Sequence, residues 1–149
     1  MRIYILEPMK ENTVIVDLDG TVSTKGDRGW YEYLKVSGDK PIFPIIRLVQ
    51  MLHSNGIKIV FCTGREDICR NQSIEWIRKH IFMSDIAPVE IYMRGSGDRR
   101  PDHVVKLEIL RNMILPKHNI WFILDDRDSV VKMWRDEGLT CLQVAEGDY

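Results

Sequence analysis

The sequence predicts an α/β fold in which a mostly parallel sheet carries helices on both faces. From Thr13 onward, short apolar runs alternate with segments of helical period, an order typical of parallel strands joined by crossover helices. Each conspicuous polar cluster follows a predicted strand, at the end where open α/β sheets bind their ligands. No repeat or low-complexity tract interrupts this pattern.

Length and composition indicate one soluble domain over residues 1–149. Hydrophobic residues make up 44% of the chain and charged residues 29%, while the net charge of -1 shows no bulk electrostatic sign of nucleic-acid or membrane binding. The three cysteines, an odd number without Cys-x-x-Cys spacing, favour a reducing compartment over a disulfide framework. We therefore expect a cytoplasmic protein with neither a signal peptide nor a membrane partner.

The first predicted strand is the apolar run 14–16, which leads into Asp17-Leu18-Asp19-Gly20-Thr21. Alternation in an extended chain would direct Asp17 and Asp19 to the same side. Two carboxylates held so close repel each other, so a bound cation is the simplest reason to keep both ionised, and hard oxygen ligands suit Mg²⁺. Two solvated aspartates in a turn are the alternative, since Asp and Gly are common turn residues.

The other elements follow in chain order. Before the first strand, Ile3 and Ile5 could form an edge strand, and residues 22–40 are predicted to be an irregular excursion over the strand ends. The remaining predicted elements are a helix at 45–52, a strand at 57–62, a helix at 74–81, a strand at 89–93, a helix at 105–113, a strand at 120–124, a helix at 130–134 and a strand at 140–144. The polar loop at 95–102 is too short for a lid domain, so we expect only small cap insertions.

The polar residues at these strand ends, together with one on the third predicted helix, occur in a recognisable order. They are Asp17, Asp19, Thr63, Lys106, Asp125 and Asp126. This set resembles the four motifs of the haloacid dehalogenase superfamily. The resemblance implies a three-layer, Rossmann-like fold and the chemistry of a phosphatase.

The resemblance also implies a role for each catalytic residue. Asp17 would attack phosphorus and form an aspartyl-phosphate, and Asp19 would protonate the leaving oxygen and then take a proton from water. Thr63 and Lys106 would stabilise the charge of the transferring phosphoryl group. Without the resemblance, Lys106 would be interpreted as a solvated helix residue and Thr63 as an ordinary strand-end hydroxyl.

Magnesium is the implied cofactor. Its implied ligands are the carboxylates of Asp17, Asp125 and Asp126 with the backbone carbonyl of Asp19. For Asp125 and Asp126 the alternative is that they only cap the following helix, and for Asp128 capping is the preferred interpretation.

Further segments carry a closer resemblance. They are residues 26–31, 63–66, 102–106, 125–127, 130–135 and 143–149. These segments resemble the phosphatase domain of phage polynucleotide kinase/phosphatase, a family that removes 3′-phosphates and 2′,3′-cyclic phosphates from nucleic acid ends.

This closer resemblance implies substrate-binding roles for Arg28, Gly64, Arg65 and Asp102. The two arginines suit bidentate phosphate contacts, and Asp102 would orient Lys106 or Arg65, or cap its helix. In the excursion, the aromatic pair at residues 30–31 is interpreted as packing rather than as a base-stacking platform. The Gly-x-x-x-x-Gly-Lys-Ser/Thr motif of the kinase half is absent from the sequence, so no kinase activity is expected, and a kinase or ligase partner would be a separate protein.

These observations predict a magnesium-dependent phosphomonoesterase that removes 3′-phosphates from DNA or RNA ends. One alternative is a phosphatase of the same superfamily that acts on small phosphometabolites or phosphoproteins. A receiver-like signalling switch and a catalytically silent binding module are alternatives from other classes.

Overall fold

Five parallel strands form the central sheet of the computed structural model, which describes residues 9–149. The strands of the described chain are β1 (Asn12–Val16), β2 (Ser23–Thr24), β3 (Lys40–Pro41), β4 (Lys58–Glu66), β5 (Glu90–Arg94), β6 (Asn119–Asp125) and β7 (Cys141–Gln143). The central sheet has the order β5-β4-β1-β6-β7, while β2 and β3 form a small antiparallel pair. The edge strand predicted around Ile3 and Ile5 lies outside the described residues.

Four α-helices in residues 9–149 accompany these strands. They are α1 (Phe43–Ser54), α2 (Arg70–Ile77), α3 (Asp102–Ile109) and α4 (Asp128–Asp136). Two of them continue into π-helical turns, α2 into Arg78–Phe82 and α3 into Leu110–Ile114. None of these helices combines the length and the apolar composition that a membrane span needs.

The sheet separates two hydrophobic cores because successive side chains of a strand point to opposite faces. Val14 and Val16 of β1 belong to the core that contains α1 and α2 residues, whereas Ile15 belongs to the core formed with α3 and α4. Trp76 anchors the first core and Trp134 the second. This three-layer arrangement confirms the predicted α/β fold.

The excursion after β1 is small and partly regular. Between β2 and β3 it contains a 3-10 helix, Tyr33–Gly38, whose one fully buried apolar side chain is Val36. The antiparallel pairing of Ser23 with Pro41 closes the segment at its base. No lid domain is inserted in the described chain, so the carboxyl edge of the sheet remains accessible.

Strand β4 is longer than the sequence predicted. We expected it to end at residue 62, but it continues to Glu66, with a shift in register against β5 between Thr63 and Glu66. The extension is polar and nevertheless buried at Thr63 and Arg65. Their polar atoms are hydrogen-bonded inside the protein, which removes the usual cost of burying them.

Candidate active site

The carboxyl ends of the central strands bring Asp17 and Asp125 together. Val16 pairs with Leu124 in the parallel ladder, so the residues that follow them, Asp17 and Asp125, lie side by side. Lys106 reaches this point from α3. Its Nζ donates to Asp17 Oδ1 at 2.8 Å and to Asp125 Oδ2 at 2.9 Å. Three sites far apart in the sequence therefore converge in a single buried cluster.

Asp17, Asp125 and Asp126 form a candidate metal centre. One carboxylate oxygen from each lies within 4.8 Å of the others, and all three residues are buried. Burial raises the pKa of Asp17 well above its ordinary value, Lys106 offsets only part of this, and the neighbouring carboxylates raise it further. Burial also raises the pKa of Asp126. A donor set made only of carboxylate oxygens, with excess negative charge, fits Mg²⁺.

Hydrogen bonds from other residues orient these carboxylates. The Thr21 hydroxyl lies 3.2 Å from both Asp17 Oδ2 and Asp126 Oδ1, and can donate its hydrogen to one of them at a time. Trp134 Nε1 donates to Asp125 Oδ2 at 3.1 Å. Sequence reasoning identified neither donor, although Thr21 belongs to the first motif.

Asp19 points to two arginines. Arg65 donates through Nε and Nη2 to the two carboxylate oxygens of Asp19, at 2.8 and 2.7 Å, and Arg28 Nη2 donates to Oδ1 at 3.1 Å. Burial opposes ionisation of Asp19, but hydrogen bonds and charge from Arg65, together with the charge of Arg28, hold its pKa below the ordinary value. The Asp19 carboxyl is therefore ionised in this state.

Both arginines also bind Asp39, a residue that sequence reasoning missed. Arg28 donates to the two carboxylate oxygens of Asp39 at 2.7 and 2.9 Å, and Arg65 Nη2 donates to Oδ2 at 2.6 Å. Asp39 is itself anchored because Trp76 Nε1 donates to its backbone carbonyl at 2.9 Å. The buried Asp39, the half-buried Asp19 and two guanidinium groups thus form a neutral cluster that immobilises Asp19.

The carboxyl end of β4 also contains Gly64, which was predicted to bind substrate. Arg94 Nε donates to the carbonyl of Gly64 at 2.8 Å, and a Cβ on Gly64 would lie 2.6 Å from Asp102 Oδ1. Asp102 forms ion pairs with Arg94 and Arg127. The expectation that Asp102 orients Lys106 or Arg65 is wrong, because the Asp102 carboxylate is bound by Arg94 and Arg127 instead. Asp102 occupies the first turn of α3 rather than the N-cap, which is Pro101.

Asp128 does not have its predicted role as a helix cap. Arg127 is the N-cap of α4, and Asp128 is the first residue of the helix without a capping hydrogen bond. Its Oδ1 instead accepts from Gln143 Nε2 at 2.6 Å, which ties the start of α4 to β7.

A cavity of about 1130 Å³ opens over the cluster. The predicted site residues that line it are Asp17, Asp19, Thr63, Gly64, Arg65, Asp102, Lys106, Asp125 and Asp126. Arg28 is not among the lining residues, since its guanidinium is bonded to Asp19, Asp39 and the carbonyls of Gly29 and Trp30. Its predicted contact with substrate stays a prediction.

The lining of the cavity also includes residues outside the predicted site. Arg94, Arg99 and Arg100 are among them. The excursion contributes Trp30 and Tyr31, whose exposed fractions are 53% and 86%. Their interpretation as packing holds in part, because the Trp30 ring stacks on Tyr149 and the Tyr31 ring meets Tyr33 edge-on, but both side chains stay exposed. Cys62, which precedes Thr63, is a buried free cysteine, and burial raises the pKa of its thiol to about 12.

Gly20→Ala tests whether the close approach of the Gly20 backbone to the Asp126 carboxylate is required. Gly20 has φ of 83°, and a Cβ there would lie 2.2 Å from Asp126 Oδ2, so alanine must displace this carboxylate. We expect phosphate release from a phosphatase substrate to fall by about 100-fold, the effect of a misplacement near 1 Å. Gly138→Ala is the matched control, because Gly138 has φ of 80° with open space around its Cβ position. Equal activity of the two variants would contradict the assignment of Asp126 to the site.

Comparisons with known proteins agree with this geometry. The family model described as the polynucleotide kinase PNKP phosphatase domain matches residues 11–149. A putative bifunctional polynucleotide kinase/RNA ligase from Autographa californica nuclear polyhedrosis virus is 36% identical over 125 residues, which cover 83% of this chain and 18% of the viral protein. The chain thus spans less than a fifth of that relative.

Two solved structures share the fold. A chain of the Pnkp1/Rnl/Hen1 RNA repair complex is 33% identical with a TM-score of 0.86, and the match covers 96% of this chain and 45% of that chain. The class C acid phosphatase from Bacillus anthracis with tungstate bound has a TM-score of 0.67 at 15% identity, covering 95% of this chain and 69% of the other. The second likeness concerns the fold alone.

Proposed function

Because this chain belongs to the family of polynucleotide kinase PNKP phosphatase domains, we propose that it removes 3′-terminal phosphates from DNA or RNA ends with the help of Mg²⁺. As a phosphatase of the haloacid dehalogenase type, it is a phosphoric monoester hydrolase. The observation that carries the proposal is the buried contact of Lys106 with Asp17 and Asp125 at the base of an open cavity. We extend the proposal to 2′,3′-cyclic phosphates because the family that the sequence resembles removes them.

The proposed reaction has two displacements. A carboxylate oxygen of Asp17 attacks phosphorus, and the bond from phosphorus to the 3′ oxygen breaks. The leaving oxygen takes a proton from Asp19 and becomes a 3′-hydroxyl group. Water then attacks the aspartyl-phosphate and transfers a proton to Asp19, which releases inorganic phosphate and restores Asp17.

Asp19 must gain a proton before it can act as the acid. Its arginine partners keep it ionised in the structure, in the form that accepts a proton from water. A phosphate dianion bound beside Arg65 would compete for the same positive charge and raise the pKa of Asp19. Arrival of the substrate would thus favour the protonated form when it is needed.

Donors around the phosphoryl position complete the proposed site. The Thr63 hydroxyl oxygen accepts from the backbone N–H of Arg65 at 3.2 Å, so its own hydrogen can be donated to a phosphoryl oxygen. The backbone N–H of Gly64 and the ammonium group of Lys106 would act with it, because fixed donors stabilise charge that develops in the transition state. In the resting state Lys106 is held by Asp17 and Asp125.

Magnesium would be held by Asp17, Asp125 and Asp126, with the predicted backbone carbonyl of Asp19. When bound, the ion would reduce the repulsion between these carboxylates and an incoming phosphate dianion. Asp125 Oδ1 also accepts from the backbone N–H of Asp126 at 2.9 Å, which keeps the two adjacent carboxylates in a fixed relation. Its other oxygen accepts from Lys106.

The cavity suits the end of a chain molecule. Tyr31 contributes an exposed aromatic surface to the lining and Arg99 an exposed arginine, while Arg94 and Arg100 are ion-paired with Asp102, Asp98 and Glu108. Aromatic rings stack on bases and guanidinium groups bind phosphates, so this lining favours a polynucleotide end over a small phosphometabolite.

We also propose that the protein works with a kinase or ligase in a cytoplasmic setting. The viral relative is named as a polynucleotide kinase/RNA ligase, and the structural relative belongs to an RNA repair complex. The kinase motif is absent from these 149 residues, so a 5′-kinase activity would reside in a neighbouring domain or a separate protein. The three buried free thiols are the support for a reducing compartment.

The test compares phosphate release from one oligonucleotide phosphorylated at its 3′ end and the same oligonucleotide phosphorylated at its 5′ end. We expect kcat/KM for the 3′ substrate to be higher by at least about 10-fold, equivalent to about 1.4 kcal/mol of transition-state binding. DNA and RNA versions are tested in parallel, and EDTA should abolish release. Equal rates at both ends would refute the end specificity, and faster turnover of p-nitrophenyl phosphate would favour a small-molecule phosphatase.

A further inference from the structure

Tyr149 joins three parts of the site. Its hydroxyl donates to Asp126 Oδ2 at 2.5 Å. Its ring is stacked on Trp30 with centroids 5.6 Å apart and an interplanar angle of 29°. The guanidinium of Arg127 lies 4.7 Å from the centroid of the same ring, and its Nε donates to the Tyr149 carbonyl at 2.9 Å. One residue therefore connects the candidate metal centre, the excursion and the start of α4.

The backbone before Tyr149 is held against the β6–α4 connection. Val144 N donates to the carbonyl of Asp125 at 3.1 Å, and Asp128 N donates to the carbonyl of Gly147 at 2.7 Å. A Cβ on Gly147 would lie 2.2 Å from the backbone oxygen of Asp126, so glycine is required for this approach. Residues 144–149 are thus held in place by specific contacts, and Tyr149 reaches the lining of the cavity.

These contacts matter most for Asp126. Lys106 hydrogen-bonds to Asp17 and Asp125, whereas the hydrogen bonds to the Asp126 side chain in the described structure come from Thr21 and Tyr149. The two hydroxyl groups bind different oxygens of this carboxylate, which fixes its rotation. Residues that orient a metal-binding carboxylate affect metal affinity although they do not touch the metal.

We propose that Tyr149 is a positioning residue for the candidate magnesium centre and a wall of the substrate cleft. Its hydroxyl holds Asp126 in the orientation that binds the ion. Its ring, fixed by Trp30 and Arg127, supports the terminal nucleoside next to the reacting phosphate. The second part rests on the proposed function, whereas the first concerns metal binding alone.

Two substitutions separate the hydroxyl from the ring. Tyr149→Phe keeps the stack and loses the hydrogen bond to Asp126, so we expect the dissociation constant for Mg²⁺, measured by calorimetry without substrate, to rise about 10-fold. The KM for the 3′-phosphorylated oligonucleotide at saturating Mg²⁺ should stay within about 2-fold. Tyr149→Ala should weaken Mg²⁺ binding to the same extent and also raise this KM about 10-fold, because the wall that Tyr149 forms with Trp30 and Arg127 is removed.

Tyr92→Phe is the matched control. It removes a tyrosine hydroxyl that donates to Glu90 at 3.1 Å on strand β5, away from the cavity lining, and should leave Mg²⁺ affinity unchanged. Wild-type Mg²⁺ affinity in Tyr149→Phe, or no Mg²⁺ binding to the wild-type protein, would overturn the positioning role. An unchanged KM in Tyr149→Ala would overturn the role of the ring. If 3′ and 5′ ends were hydrolysed equally, the proposed function would fail while the calorimetric comparison still decided the first part.

Discussion

Asp17→Asn should lower kcat for phosphate release by about 10⁴-fold or more, a loss of the size seen when a nucleophile is removed. An amide oxygen is a far weaker nucleophile than a carboxylate, and the substitution retains the size and the hydrogen-bond acceptor that Lys106 contacts at 2.8 Å. Phosphate release from the 3′-phosphorylated oligonucleotide measures this loss. No other carboxylate in the site has the same contacts, so we expect no compensation.

The same substitution should not weaken the metal-free fold. Burial raises the pKa of Asp17 in the folded state, so its ionised form is disfavoured relative to the unfolded chain. A carboxyl group whose pKa is raised by folding contributes its full stabilisation below its pKa in the unfolded chain, about 3.9. This stabilisation is lost as the pH rises through the pKa of the group in the folded protein. At neutral pH the metal-free Asp17→Asn protein should therefore be at least as stable as the wild type, and its advantage should disappear in acid.

Urea unfolding at several pH values in EDTA measures this difference in the free energy of unfolding. Asp136→Asn, which alters an exposed ion pair on α4, is the control and should change neither activity nor stability appreciably. Substantial phosphate release by folded Asp17→Asn would rule out Asp17 as the nucleophile.

Asp39→Asn should destabilise the protein by about 3–5 kcal/mol, the usual cost of removing one partner from a buried ionic cluster. Asp39 accepts three hydrogen bonds from Arg28 and Arg65, and its side chain is fully buried. The asparagine amide cannot accept all of them, and the two guanidinium groups would then share the single charge of Asp19. We expect kcat to fall about 100-fold because Asp19 loses its fixed orientation.

Urea unfolding and phosphate release are measured on the same preparation, at a temperature where circular dichroism shows the variant folded. Ser73→Ala provides a milder test, because it removes the acceptor of Arg65 Nη1 at 3.1 Å and a weak contact with Cys69 Sγ but leaves Asp39 in place, so it should lower kcat less. A folded Asp39→Asn protein with wild-type kcat would show that the orientation of Asp19 does not depend on this cluster.

The sequence alone predicted the fold class and the place of the candidate active site. Apolar runs and helical periods predict parallel strands with crossover helices, and parallel strands place their carboxyl ends at one edge. Residues directly after those strands, such as Asp17 and Asp125, must therefore lie close together. The prediction that Lys106 joins them needed the motif resemblance, because a lysine on a helix carries no such signal by itself.

The partners of the site residues were decided only by the tertiary structure. Asp39 lies in an excursion without periodicity, and Tyr149 follows the last strand in a segment that folds back over the site. Nothing in their local sequence predicts which arginine or carboxylate they meet. The longer β4 and the exposure of Trp30 and Tyr31 were missed for the same reason. Hydrophobic patterning determines which face of an element is buried, whereas the pairing of polar groups depends on how loops far apart in the chain are packed against each other.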